Sequence, residues 1–347
     1  MTPSLRPNGL ELFAKAHEQL TTLDVPIPQL LLLDHAGGRM AADVALVHDV
    51  PGTSLEDLLA SDAATAVPVL ERLREALRRM ESASHPTYGK VGARAGTAPD
   101  FPEAVLHRAV RHVDSAAIRE PRIAAAAEQL RDALRTLAAQ VRPRTRYSLV
   151  HGELGPDHVR VDAAGLPVLI DIEGLMWADV EWEHAFLELR FGDHYGHLQA
   201  PNLDDARLQL YRLASHISLV EGPLRLLESS FPDAQGMRAI AEYNLAQLSL
   251  SSADNAYRRV CITPIRSKRS SRAHAAASRA HPQAAWPRRR HPTAPTARSA
   301  SDQPSHGGTP RRTGQPWHPH VRRVPVGWPT AVLRSRPGLD PQLIDRP

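Results

Sequence analysis

Cysteine is all but missing from this chain. Cys261 is the only one among 347 residues, so no intramolecular disulfide can form and a reducing compartment is expected. Aromatic residues are scarce at 5%, while prolines number 30, so part of the chain need not be globular. No apolar run approaches the roughly 18–20 residues of a membrane span. The N-terminus, MTPSLRPNGLELFAKAHEQL, has no apolar core of signal-peptide type. These absences argue against a secreted disulfide scaffold and against a membrane protein. A soluble cytoplasmic protein, with no membrane partner, is the expectation.

Glutamate is missing from the last part of the chain. Residues 252–347 hold 18 Lys and Arg against 4 Asp, whereas residues 1–251 hold 24 against 34 Asp and Glu. The net charge of +4 therefore conceals an acidic body and a basic tail. The tail has prolines across any helical period, no alternation and few large apolar residues. It cannot bury enough surface to offset its ordering entropy, so 252–347 is read as disordered. Arginine clusters such as Arg288-Arg289-Arg290 could meet an anionic surface, but no folded or aromatic-interleaved reader accompanies them, so nucleic acid is not the expected partner. The composition changes abruptly after AIAEYNLAQLSLSS, in the manner of a GC-rich gene read out of frame. A frameshifted tail without function is the expectation.

The body is patterned throughout. Residues 9–23 carry apolar side chains at helical spacing and stop before VPIP. QLLLLD and DVALVHDV read as strands, Pro51-Gly52 as a turn, and Ser54 as the cap of a short helix. Leu70, Leu73, Leu77 and Met80 mark one amphipathic helix, and Leu130, Leu134, Leu137 and Val141 another. SLVH reads as a strand, and VRVDAAGLPVLID as a β-hairpin turning at Gly165. Val180–Phe191, Asp204–Leu227 and Met237–Leu250 then read as helices. A little β structure ahead of much helix is an α+β arrangement.

Chemistry concentrates in LVHGELGPDHVRVD. His151-Gly152-Glu153 is followed by four residues and then His158, and the hairpin strand beyond ends in Asp171, with Glu173 two residues on. Acids converging on a loop beside a strand end suit divalent-metal and phosphate chemistry, because Mg²⁺ takes one or two carboxylates plus phosphate oxygens. HGE alone would read as a solvated turn. The offset to His158, the hairpin and Asp171 together make that plainer reading the weaker one.

On these residues the body resembles the aminoglycoside phosphotransferase and choline kinase-like family, which shares the protein-kinase fold. The family's loop runs His-Gly-Asp, four residues, Asn, and then a hairpin ending in a metal-binding Asp. The similarity extends over roughly residues 8–250, through VPIPQLLLLD, VALVHDVPGTSLEDLL, HPTYGKV and Asp179. It implies ATP-dependent phosphoryl transfer to a small-molecule hydroxyl, with Mg²⁺. Glu153 would be the catalytic base, and Asp171 the principal metal ligand. His158 would stand at the second metal position, with Asp157 or Glu173 as substitute oxygen donors. His151 would brace the loop together with Asp179. Backbone groups at His48, Asp49 and Val50 would meet adenine, and Glu18 would pair with a phosphate-binding lysine. The resemblance further implies residues 1–52 as the remnant of a nucleotide lobe and 53–251 as a helical lobe.

Two letters depart from the family's pattern. Glu for Asp at 153 adds a methylene, a displacement of about 1 Å that can cost on the order of 100-fold in rate. His for Asn at 158 suits softer metals than Mg²⁺. The stretch ahead of the Glu18 helix has no room for a glycine-rich loop, and neither Lys15 nor Lys90 follows one. A non-catalytic, pseudokinase-like interaction protein is therefore the alternative. A zinc protein built on His184, His194 and His197 is a remoter one. Glu181, Glu183, Glu188 and Asp193 could attract a cationic acceptor, although a solvated helix face is the plainer reading of them.

Overall fold

A computed structural model describes residues 9–35, 38, 42–93, 96, 98–229, 231–248 and 330–335. Helix α1, Leu10–Thr22, buries Leu10, Phe13, Ala16 and Leu20 along one face. It ends where Asp24 turns left-handed at φ 55° and Val25 N donates back to Leu20 O. Strands β1, Leu30–Asp34, and β2, Asp43–His48, pair antiparallel. The chain then forms β3, Thr53–Ser54, and helix α2, Leu55–Ser61, where Ser54 Oγ accepts from Asp57 N as the capping signal implied. Helix α3 follows over Ala63–Ser82.

Two short strands, β4, Ser84–His85, and β5, Gly89–Lys90, precede α4, Phe101–Ala117, and α5, Pro121–Gln140. Strand β6, Tyr147–Val150, leads into the acid-rich loop, and β7, Val159–Val161, with β8, Pro167–Leu169, makes the expected hairpin. Its turn is built by Gly165 at φ 73° and by Asp162 Oδ1, which accepts from Ala164 N and Leu166 N. Strand β9, Met176–Ala178, then opens into α6, Val180–Phe191, followed by α7, Asp205–Leu227, and α8, Ala234–Gln247. Helix α6 has the bounds read from the sequence. Helix α8 starts three residues before Met237, because Asp233 caps it through Gly236 N. The α4 helix, the short strands β4 and β5, and strand β9 were not foreseen.

The hairpin lies beside β3 in one sheet, and β4-β6-β9-β5 make another in that order. Gly52, at φ 138°, lets β3 approach β7, since a Cβ there would overlap the Val161 carbonyl oxygen. The buried apolar residues form two clusters. One joins α1, α2, α3 and β2 to the hairpin through Leu149, Leu154, Val159 and Leu169. The other joins α4, α5 and α7 to β6 and α6 through Val150, Ala178 and Trp182. The acid-rich loop leaves β6 between these cores, with Leu149 in one and Val150 in the other.

Residues 1–8, 252–329 and 336–347 lie outside the described residues, and with them most of the tail read as disordered. Thr330–Ser335 departs from that reading. These six residues form β10, parallel to β2, with Thr330 opposite Asp43 and Ser335 opposite His48. The edge of β2 away from β1 offers unpaired backbone groups, and TAVL is the part of the tail with the composition to fill it. Among the described residues no helix is long and apolar enough to cross a membrane.

Candidate active site

The loop after β6 is held from beneath by α6. Gly152, at φ 89°, donates its N–H to Glu183 Oε2 at 2.7 Å. Glu183 is buried, and burial pushes its carboxyl up to about 7 against the pull of the backbone donors at Gly152 and His151. This overturns the solvated-face reading of the α6 acids. Glu181 is also buried, accepting both terminal nitrogens of Arg144 at 2.6 and 2.7 Å and Asp204 N at 2.9 Å. Glu188 receives Arg212, and of the four only Asp193 is exposed.

His151 is fully buried, and its Nε2–H donates to Ile170 O at 3.1 Å. A carbonyl can only accept, so Nε2 carries a proton. Burial, reinforced by His158, pushes its pKa down to about 4. The expected partnership of His151 with Asp179 is not what the structure places there. Asp179 is buried and accepts from Arg207 Nε at 2.8 Å and from the Tyr211 hydroxyl, with Arg144 3.6 Å away. It ties α7 to the start of α6, while the backbone at Ile170 steadies His151.

His158 is the hinge of the site. Its Nδ1–H donates to Glu153 O at 2.9 Å, its ring stacks on His151 at 5.9 Å, and its Nε2 lies 3.3 Å from Asp171 Oδ2 and 3.7 Å from Asp157 Oδ2. Asp157 is fixed by Arg190 at 2.5 Å. Burial would raise the Asp157 carboxyl, yet the Arg190 and His158 charges hold it below its ordinary value.

Asp171 sits exposed in the left-handed region at φ 59°, a conformation that costs a non-glycine residue of order 1 kcal/mol and is commonest where function requires it. Glu173 is half-buried. Burial raises its carboxyl and Asp171 adds to the effect, against its own backbone donor, His158 and Lys90. Glu153 is exposed, its backbone held through His158 and its side chain open to solvent.

The structure thus brings the loop of His151, Glu153 and His158 beside the segment of Asp171 and Glu173, with His158 linking the two. Among the described residues no three His, Cys, Asp or Glu side chains converge as a ready-made metal cage. The donor chemistry fits Mg²⁺ held by the Asp171 carboxylate, with Glu173 beside it, and completed by phosphate oxygens. The His158 imidazole is committed to Glu153 O through Nδ1 and faces Asp171 with Nε2. His184, from the zinc reading, is buried and bonded to Glu81 Oε1 and to the Tyr195 hydroxyl.

The nucleotide-side residues are more dispersed. His48 ends β2, with its N donating to Gln29 O, and Asp49 and Val50 follow; Arg160 from β7 reaches Val50 O at 3.5 Å and Gly52 O at 2.6 Å. Glu18 pairs with Lys15 of its own helix at 2.8 Å, both side chains exposed. The stem of Lys15 packs against Gly92, and α1 itself lies against the turn at Ile172–Gly174. Two further cations bear on the electrostatics of the loop. Lys90, on β5, and Arg108, on α4, both have pKa values lowered by burial, and in both the charge of Glu153 opposes that shift. Lys90 lies in the HPTYGKV segment, whereas Arg108 has no motif around it.

The model of the phosphotransferase enzyme family matches residues 2–218. No curated protein sequence matches the chain. Among solved structures, a thermostable mutant of aminoglycoside phosphotransferase APH(4)-Ia in its apo form is similar at 18% identity and a TM-score of 0.51, covering 71% of this chain and 86% of that one. The ternary complex of such a mutant with AMP-PNP and hygromycin B is similar at 18% identity and a TM-score of 0.50, covering 69% and 84%. At this identity the likeness establishes the fold, which is the α+β, kinase-like one expected. With its family model spanning well over half of the sequence, the chain belongs to the phosphotransferase enzyme family.

Proposed function

We propose that this protein transfers the γ-phosphoryl group of ATP to the hydroxyl of a small molecule. The observation that carries this reading is the linkage through His158, which joins the Glu153 backbone at 2.9 Å to the Asp171 carboxylate at 3.3 Å across the β7–β8 hairpin. If Glu153 is the base and Asp171 the phosphate-side carboxylate, that linkage would keep the two in relation, as phosphoryl transfer requires. A similar structure that binds AMP-PNP and hygromycin B is consistent with a nucleotide and a small acceptor.

In this reading Glu153 accepts the hydroxyl proton as the acceptor oxygen bonds to phosphorus and the bond to the ADP oxygen breaks. His151, neutral and buried, keeps the loop in register with Ile170. Glu183 anchors Gly152, so that the exposed Glu153 carboxylate projects from a fixed backbone. Asp171 and Glu173 would hold Mg²⁺, which supplies charge neutralisation on the phosphates. Backbone groups at His48, Asp49 and Val50 would receive adenine, and Glu18, already paired with Lys15, would place that lysine toward the phosphate side. A cytoplasmic location follows from the ATP requirement and the near absence of cysteine.

The test is phosphate transfer from γ-labelled ATP to a panel of hydroxyl compounds, with Glu153→Gln as control. Transfer that Glu153→Gln abolishes while the fold persists supports the reading, and transfer unaffected by it refutes the base assignment. One observation favours a second reading, a non-catalytic interaction protein. Lys15 and Glu18 are both exposed on α1. Absence of any thermal shift with Mg-ATP would select that reading.

A further inference from the structure

The loop that carries Glu153 is shaped around an arginine from α6. Gly155 has φ −121°, a conformation open to any residue, so what requires a glycine there is space. A Cβ at that position would fall 2.5 Å from both Arg190 Cζ and Arg190 Nη2, and 2.5 Å from Asp157 Oδ1. Arg190 leaves the last turn of α6 with its guanidinium 5.9 Å from the Phe186 ring centroid, and its side chain is only 11% exposed. Its Nη2 donates to Asp157 Oδ1 at 2.5 Å. Asp157 itself lies in the single helical turn Pro156–His158, where His158 N donates to Gly155 O at 3.0 Å. Glycine, guanidinium and turn are fitted to one another.

This ion pair stands on the metal side of the loop. The other oxygen of Asp157, Oδ2, lies 3.7 Å from His158 Nε2, and Asp171 Oδ2 lies 3.3 Å from the same nitrogen. Two carboxylates thus border one imidazole nitrogen, Asp157 half-buried and Asp171 exposed. Divalent cations with oxygen ligands bind more tightly as carboxylates are added to the site. An uncompensated Asp157 would therefore compete with Asp171 for the cation and draw it toward the loop, away from the phosphate oxygens that must complete its shell. A guanidinium seated on Asp157 removes that competition, because an anion with a fixed counter-ion at hydrogen-bond distance has little left to offer a second cation.

We infer that Arg190 is a positioning residue of this site, an internal counter-ion that withdraws Asp157 from the divalent cation and leaves the nucleotide's Mg²⁺ to Asp171, with Glu173 beside it. This rests on the phosphotransferase reading and deepens it. It also decides between the two substitute oxygen donors suggested by the sequence, against Asp157 and for Glu173.

The experiment titrates Mn²⁺ into the full chain without nucleotide, read by electron paramagnetic resonance, and in parallel Mg-AMP-PNP, read by calorimetry. Arg190→Met, which keeps the stem beside Phe186, should bind Mn²⁺ at least roughly tenfold more tightly than the parent and Mg-AMP-PNP roughly tenfold more weakly. The double variant Arg190→Met/Asp157→Asn should return both affinities to within about threefold of the parent. An arginine that only holds the loop in place gives neither the gain in Mn²⁺ affinity nor the rescue. Unchanged or weaker Mn²⁺ binding in Arg190→Met, or a gain that survives in the double variant, overturns the inference. Should Arg190→Met fail to fold, Asp157→Asn decides alone. With Arg190 already on that carboxylate, its loss should move either affinity by less than about threefold, and a larger loss would make Asp157 a cation ligand and overturn the inference. A parent that binds no Mg-AMP-PNP sinks the phosphotransferase reading, whereas a parent that binds it while Arg190→Met gains no Mn²⁺ affinity sinks only this inference.

Discussion

Glu153 and His151 sit two residues apart in the same loop and live in opposite surroundings, one exposed and one sealed. If Glu153 is the base, Glu153→Gln should lower phosphate transfer by about 10²- to 10⁴-fold. Its melting temperature should hardly change, because nothing in the core rests on that side chain. Steady-state rates and calorimetry on the same preparation check this, and a Glu153→Gln protein that keeps its rate refutes the role. His151 makes a different prediction. With its pKa pushed down to about 4, its ring should stay neutral through pH 5 in a ¹⁵N-detected titration. Since the folded pKa lies below the ordinary histidine value near 6.5, its contribution to stability is complete above that value and is lost as pH falls toward 4. Titration near 6.5 would show that the ring is not buried as described. At this scale the sequence carried Glu153, His158 and Asp171 because the spacing between them is local. Arg108 was illegible for the converse reason: its neighbour Trp182 comes from α6, far away along the chain.

Helix α6 illustrates what a pattern of charges can and cannot say. VEWEHAFLELRF reads as an amphipathic surface helix, yet its first turn buries two glutamates. The acids face inward because each satisfies backbone or guanidinium donors that would otherwise be stranded, Glu183 the Gly152 N–H and Glu181 the Arg144 fork and Asp204 N. Periodicity cannot register such partners, since they lie outside the helix. The Glu183 carboxyl, pushed up to about 7, works in the opposite sense to His151. Its contribution to stability is complete below the ordinary carboxyl value near 4.5 and is lost as pH rises through 7, by up to about 3 kcal/mol. Glu183→Gln should therefore gain stability relative to the parent between pH 5 and 8, as read by urea denaturation at each pH. A constant difference across that range would contradict the assignment. Helix α4 could have been found, because Asp100 caps it and Phe101, Val105, Ala109 and Val113 recur at every fourth residue. The two-residue strands β4 and β5 carry no comparable signal, their pairing being decided entirely by β6 and β9. The close approach of β3 to β7 gives a sharper element-scale test. Gly52→Ala forces a Cβ into the Val161 carbonyl at a φ of 138°, and it should cost at least about 2 kcal/mol in a denaturant titration. A neutral Gly52→Ala would mean that the two strands are not in contact.

Over the whole molecule, the hydrophobic pattern of residues 9–248 was enough to place nearly every long element, because those elements close two cores on either side of one loop. The acidic body and basic tail were visible as a change of composition, whereas the docking of Thr330–Ser335 along β2 was not, since it depends on an open strand edge nearly 300 residues earlier. The family resemblance rested on the loop and hairpin, whose flanking residues Leu149, Val150, Val159 and Leu169 enter the two cores. The central claim is that this loop binds a nucleotide through Asp171 and reacts through Glu153. It is tested most directly by thermal denaturation with and without Mg-ATP in three proteins, the parent, Asp171→Asn and Glu153→Gln. At nucleotide concentrations near 100 times the dissociation constant, the parent and Glu153→Gln should gain about 2.7 kcal/mol, and Asp171→Asn should lose most of that gain. No response in the parent, or an undiminished response in Asp171→Asn, would contradict the account.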